Sequence, residues 1–163
     1  EIAIPTVEFN LIFQLTHIYA HLMNEGIGLR QLLDYYYVLI SDDLLLIRDR
    51  VQKELKELGL WKFAGAIMYI MQEVFGMPAS RLIVPPNEKY GRFVLNEVLE
   101  AGNFGKHDER NRFGRSKLGH NLQRVYRDIR LVRYFPAEAL SEPIFRTWHF
   151  FWRLRWDFTY RLR

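Results

Sequence analysis

The densest run of chemically versatile side chains is GNFGKHDERN, residues 102–111. Gly102 and Gly105 permit positive φ and Asn103 tolerates it, so several backbone N–H groups can turn toward one anion. Lys106, His107, Arg110 and Arg112 add charge, and a histidine beside Asp108 and Glu109 is of the kind that titrates near neutral pH. The run is not a phosphate-binding P-loop, because Lys106 is not followed by Ser or Thr at the required glycine spacing, and it carries no dinucleotide fingerprint. No Ser or Cys nucleophile accompanies it. The expectation is a shaped contact loop. It is weighed against a capped loop whose charges pair with one another, and against an enzyme centred on His107 with Asp108 or Glu109.

Two further pairs have suggestive spacing. His17 and His21 lie four apart on one helix face, as in zinc proteases, but Ile18 stands where that motif needs its general-base glutamate. With no third ligand in view they are read as hydrogen-bonded histidines, His21 being a candidate for a ligand cleft, and no metal site is assigned. Arg30 and Asp34 stand one turn apart on an otherwise apolar helix. They either satisfy each other while partly buried, or Arg30 faces a cleft and reads a phosphate or carboxylate with Asp34 holding it.

The elements that must position these groups are helical. Pro5 and Thr6 start a helix with Thr6 as N-cap, whose stripe is Val7, Leu11, Leu15, Ile18 and Leu22, and Gly26 stops it in the left-handed conformation. A second helix, from Gly28 to Ile40, is apolar nearly all round, which predicts a buried position. Ser41 and Asp42 cap a third, with a stripe through Leu44, Ile47, Val51, Leu55 and Leu58, closed by Gly59. The fourth runs from Leu60 to Gly76, and its Ala64, Gly65 and Ala66 suit a close helix neighbour. Prolines make residues 77–87 a connector, in which Arg81 to Val84 is a strand too short to build a sheet.

Helices follow at roughly 88–101, from Arg115 to Tyr134, and from Ile144 to about Leu162. The last alternates arginines with aromatic rings, as single-strand nucleic-acid binders do. Trp148, Phe151, Trp152, Arg155 and Trp156 fall at helical spacing, however, so most of these rings suit a core. The expected fold is all-α, one irregular bundle of about seven helices over residues 1–163.

The chain is 49% hydrophobic and 15% aromatic, a globular composition with no cysteine, so disulfides and Cys-ligated metals are excluded. No apolar run approaches the roughly 18 residues of a membrane span, and no signal peptide is visible. A cytoplasmic protein is expected. The first residue is not methionine, which fits a fragment of something longer. Residues 1–109 hold 10 Lys and Arg against 15 Asp and Glu, a net of −5, whereas residues 110–163 hold 13 against 4, a net of +9. A basic C-terminal third suits an anionic partner, or is simply a set of solvated helix faces.

Taken together, HIYAHLMNEGIGLRQLLDYYYVL (17–39), LWKFAGAIMYIMQEVFGM (60–77), GNFGKHDERN (102–111) and PAEALSEPIFRTWHFFWR (136–153) resemble the C-terminal helical part of the uncharacterised nucleotidyltransferase family. The resemblance implies an upstream polymerase-β-like catalytic domain, with a Gly-Ser-type turn and two strand-borne aspartates holding Mg²⁺ for an NTP substrate. No D-x-D occurs in this chain, and Asp42 and Asp43 are adjacent rather than alternate. The implied role is a helical accessory domain that walls a substrate cleft without binding metal itself. His21, Arg30 and Asp34 match the family's histidine and L-R-x-L-x-D positions and are implied to face that cleft. The alternative is a stand-alone interaction module that holds a protein or nucleic acid with its basic aromatic C-terminal helix.

Overall fold

Helix formation begins where Thr6 ends the opening segment. Its Oγ1 accepts from the Phe9 N–H at 3.2 Å and its carbonyl accepts from the Asn10 N–H at 2.9 Å, supplying partners that a first turn lacks. The computed structural model describes residues 4–24, 26–101, 125–126, 129–136, 144 and 147–153. The chain is all-α, and no strand occurs among the described residues. It divides into two compact units, Glu1–Asn111 and Arg112–Arg163.

In the first unit, α1 (Val7–Asn24) buries Leu11, Leu15, Ile18 and Leu22 of the predicted stripe, while Val7 at its first position is only half-buried. Gly26 follows with φ of 92°, its N–H donating to the His21 carbonyl at 2.7 Å. In α2 (Leu29–Leu39) the Gln31 side chain accepts from the Gly28 N–H at 2.9 Å, which fixes the first turn. Only Leu32, Tyr35 and Leu39 are buried there, whereas Leu29, Leu33, Tyr37 and Ile40 are exposed. The expectation of a helix buried all round is therefore wrong. Its hydrophobicity is distributed around the axis, but neighbours cover one side.

Helix α3 (Leu44–Glu57) begins after Asp43, and neither Ser41 nor Asp42 caps it with a side chain; the Leu44 N–H instead reaches the Ser41 carbonyl at 3.3 Å. Its core side is Leu44, Ile47, Val51 and Leu55. Leu58, expected in that stripe, is exposed because the helix has already ended. The ending is a Schellman motif: the Leu60 N–H donates to Leu55 O at 2.8 Å and the Gly59 N–H to Lys56 O at 3.1 Å. Gly59, at φ of 72°, takes the left-handed position that this motif demands, and Leu60 and Leu55 are both buried beneath it.

Helix α4 (Trp61–Glu73) is the most buried element, with Phe63 to Met68, Ile70 and Met71 all inside. Its small residues serve a purpose different from the one expected. At Gly65 it is the connector that approaches, the Asn87 N–H donating to Gly65 O at 2.9 Å. The tight helix–helix approach is at Gly91 of α5 (Glu88–Ala101), where a Cβ would lie 2.3–2.5 Å from Tyr69 atoms. Asn87 starts α5, its Oδ1 accepting from the Tyr90 N–H at 3.3 Å.

Between α4 and α5 runs a 3-10 turn, Ala79–Arg81, and then a buried piece, Leu82, Ile83 and Val84, which bends at its last two residues and forms no strand. Buried backbone needs partners, and α3 provides one: Gln52 Nε2 donates to Ile83 O at 2.7 Å. Arg48 Nη2 donates to Ser80 O, and Arg81 Nη1 to Ser41 O at 2.7 Å. Side chains thus hold the connector against α3 where no backbone ladder exists.

In the second unit, residues 125–126 and 129–132 are helical, and the Phe135 N–H reaches Leu131 O at 2.7 Å just before Pro136. Residues 144 and 147–153 are helical too. Trp148, Phe151 and Trp152 are exposed, as is Phe150. The expectation that most of these rings form a core fails for every one of them that is described; Arg155 and Trp156 lie outside the described residues.

Candidate functional site

On α2, a rotation of about 100° per residue gathers Leu29, Leu33, Tyr37 and Ile40 on one side, and Leu32, Tyr35 and Leu39 on a face roughly 120° around the axis from it. The first set is the exposed set, Leu33 at 38% and Tyr37 at 63%. Arg30 and Asp34 lie along the edge of that bare face, and both are exposed. No ion pair joins them among the described residues, so the partly buried, self-satisfying pair is not what the fold builds. Each is left as a charged group beside an apolar stripe, the composition of a contact surface with a polar rim.

On α1 a second exposed line runs with a period of four. Phe9 and Phe13 stack with ring centres 5.6 Å apart and planes at 10°, and Phe13 stacks on His17 at 6.1 Å and 13°. His17 meets His21 edge to face, at 4.3 Å and 83°, with their Nε2 atoms 3.1 Å apart. His21 is half-buried and His17 exposed. Sequence reasoning singled out the two histidines and missed the two phenylalanines ahead of them. The signal was present, since positions 9, 13, 17 and 21 are evenly spaced, but the rings lie opposite the buried stripe and fall outside a search for core residues.

The phenylalanines border a groove of about 390 Å³ between α1 and α3, lined by Thr6, Glu8, Ile12, Thr16 and Glu54 as well. Glu8 is already engaged there, 3.2 Å from the Arg50 guanidinium. Of the residues implied to face a cleft, the described ones fall on two neighbouring elements, His21 near the end of α1 and Arg30 and Asp34 on α2. Lys106, His107 and Arg110, with the rest of 102–111, lie outside the described residues.

The donors for a catalytic Mg²⁺ do not come together among the described residues, where no three of His, Asp or Glu converge. Asp42 and Asp43 precede α3 side by side, and the Asp42 carboxylate is 3.7 Å from the Arg81 guanidinium, a partner that competes with any cation.

No curated protein and no solved structure matches the chain. The family resemblance is narrower than expected and lies in the N-terminal half of the chain. It takes in the segment 17–39 and all but the last residue of 60–77, and it leaves out 102–111 and 136–153. Residues 1–76, which carry α1 through α4, match the family described as uncharacterised nucleotidyltransferase.

Proposed function

We propose that α1 to α4 form a helical accessory domain of a nucleotidyltransferase-related, polymerase-β-like protein, and that the bare face of α2 is the surface it turns toward the catalytic part and its substrate. The observation that carries this reading is the stripe of Leu29, Leu33, Tyr37 and Ile40 flanked by Arg30 and Asp34, within the segment that matches the family. Arg30 would meet a phosphate or carboxylate at the edge of the cleft, a task suited to its fork of donors. The carboxylates that hold Mg²⁺ would belong to the catalytic part, which metal-assisted phosphoryl chemistry requires. Incubated with Mg²⁺ and labelled NTPs, the chain should transfer no nucleotide to itself or to an added acceptor. Transfer that persists in the purified chain overturns the accessory role.

A second reading is favoured by one observation in the other unit. Trp148 and Phe151 are 58% and 63% exposed, beside Phe150, Trp152 and Arg153, in the basic part of the chain. Exposed rings among arginines suit a single-stranded nucleic acid or an acidic protein surface. Titration with short single-stranded oligonucleotides at increasing salt separates this reading from the first, because phosphate contacts give a steep salt slope.

A further inference from the structure

We propose that His17 and His21 form a two-histidine chelate for a divalent late transition cation such as Cu²⁺, Ni²⁺ or Zn²⁺. The i, i+4 spacing alone left these residues as a hydrogen-bonded pair. The fold adds the distance between their outward nitrogens, 3.1 Å Nε2 to Nε2. Metal–imidazole bonds are about 2.0–2.1 Å long. Two nitrogens at that separation therefore subtend about 98° at a shared metal, on that bond length. Across the 2.0–2.1 Å range the angle runs from about 102° to about 95°, between the tetrahedral and the tetragonal value, and imidazole nitrogen suits Cu²⁺, Ni²⁺ and Zn²⁺ alike. Hard cations such as Mg²⁺ and Ca²⁺ prefer oxygen and are not served by this pair.

The pair is also preorganised. Ile18 and Leu22 are buried on the same turns of α1, so its backbone is held by the core. Phe13 lies flat against His17 and limits the swing of its ring. The exposure of His17 leaves access from solvent. No third His, Asp or Glu joins the two among the described residues. Without metal the two Nε2 atoms face each other at hydrogen-bond distance.

The test is a Cu²⁺ titration of the chain by calorimetry, with electron paramagnetic resonance to count coordinated imidazoles, repeated on His17→Ala, His21→Ala and His149→Ala. The expected result is one tight equivalent with two imidazole nitrogens. His17→Ala should weaken it on the order of 100-fold, as expected when one arm of a chelate is lost, and leave one imidazole with unchanged far-ultraviolet circular dichroism. His149→Ala should change neither. Because His17 is exposed, its variant keeps the test valid should His21→Ala disturb the end of α1. Undiminished affinity in His17→Ala, a single imidazole in the wild type, or loss that follows His149→Ala instead would each overturn the chelate.

Discussion

Tyr35 has its ring fully buried on α2, and its hydroxyl has no hydrogen-bond partner among the described residues. Burial without a partner disfavours the phenolate and pushes the pKa well above the ordinary value near 10. The folded chain thus holds this proton more tightly than the unfolded chain. Its contribution to stability is complete below about pH 10 and is lost as pH rises above that, when the unfolded phenol ionises and the folded one does not. Tyr35→Phe removes both the orphan hydroxyl and the titration. It should raise stability by about 1 kcal/mol at neutral pH, with a larger advantage above pH 10 in urea melts across that range. Gly91 makes the opposite case. Alanine gains about 1 kcal/mol in helix propensity, but its Cβ would overlap Tyr69, including the Cβ of that residue, at 2.3–2.5 Å. Because the contact lies close to the α4 backbone, the overpacking cost of about 1–3 kcal/mol should win, and Gly91→Ala should lower the thermal midpoint.

At the scale of elements, α2 separates two kinds of leucine that composition treats alike. Leu32 is fully buried and Leu33, its neighbour, is 38% exposed. Leu32→Ala should cost about 2–5 kcal/mol in chemical denaturation, and Leu33→Glu should stay within about 0.5 kcal/mol of wild type. If Leu33→Glu unfolds the chain, the bare face is an internal packing surface and the proposed contact with a catalytic part fails. The helix boundaries that were legible in the sequence have local causes: the Thr6 hydroxyl accepting from the Phe9 N–H at an N-terminus, Gly59 adopting positive φ at a C-terminus, prolines at 85 and 86 ahead of α5. The boundary that misled, at Ser41 and Asp42, involves residues suited to capping, but the Asp42 carboxylate is drawn toward Arg81 and Ser41 meets the Leu44 N–H with its main-chain carbonyl.

For the whole molecule, the sign change of charge along the chain meets exposed rings in its basic part, which makes salt the natural variable. Binding of short single-stranded oligonucleotides should be absent or flat with salt if the accessory reading is complete; a steep loss of affinity between low and physiological salt would favour the interaction module. The sequence by itself determined the all-α class, the extents of α1 and α5 and the core stripes of α1 and α3 apart from Val7 and Leu58 at their ends, because helical periodicity and capping act over one or two turns and need no distant partner. It also carried the resemblance to the uncharacterised nucleotidyltransferase family, which a match over residues 1–76 supports. Only the tertiary structure decided which side of α2 stays bare, which glycine admits a neighbouring helix, how α3 side chains hold the connector, and that two histidine nitrogens stand 3.1 Å apart. Each of these depends on where another part of the chain arrives or which rotamer it leaves open, and a one-dimensional pattern holds no record of that.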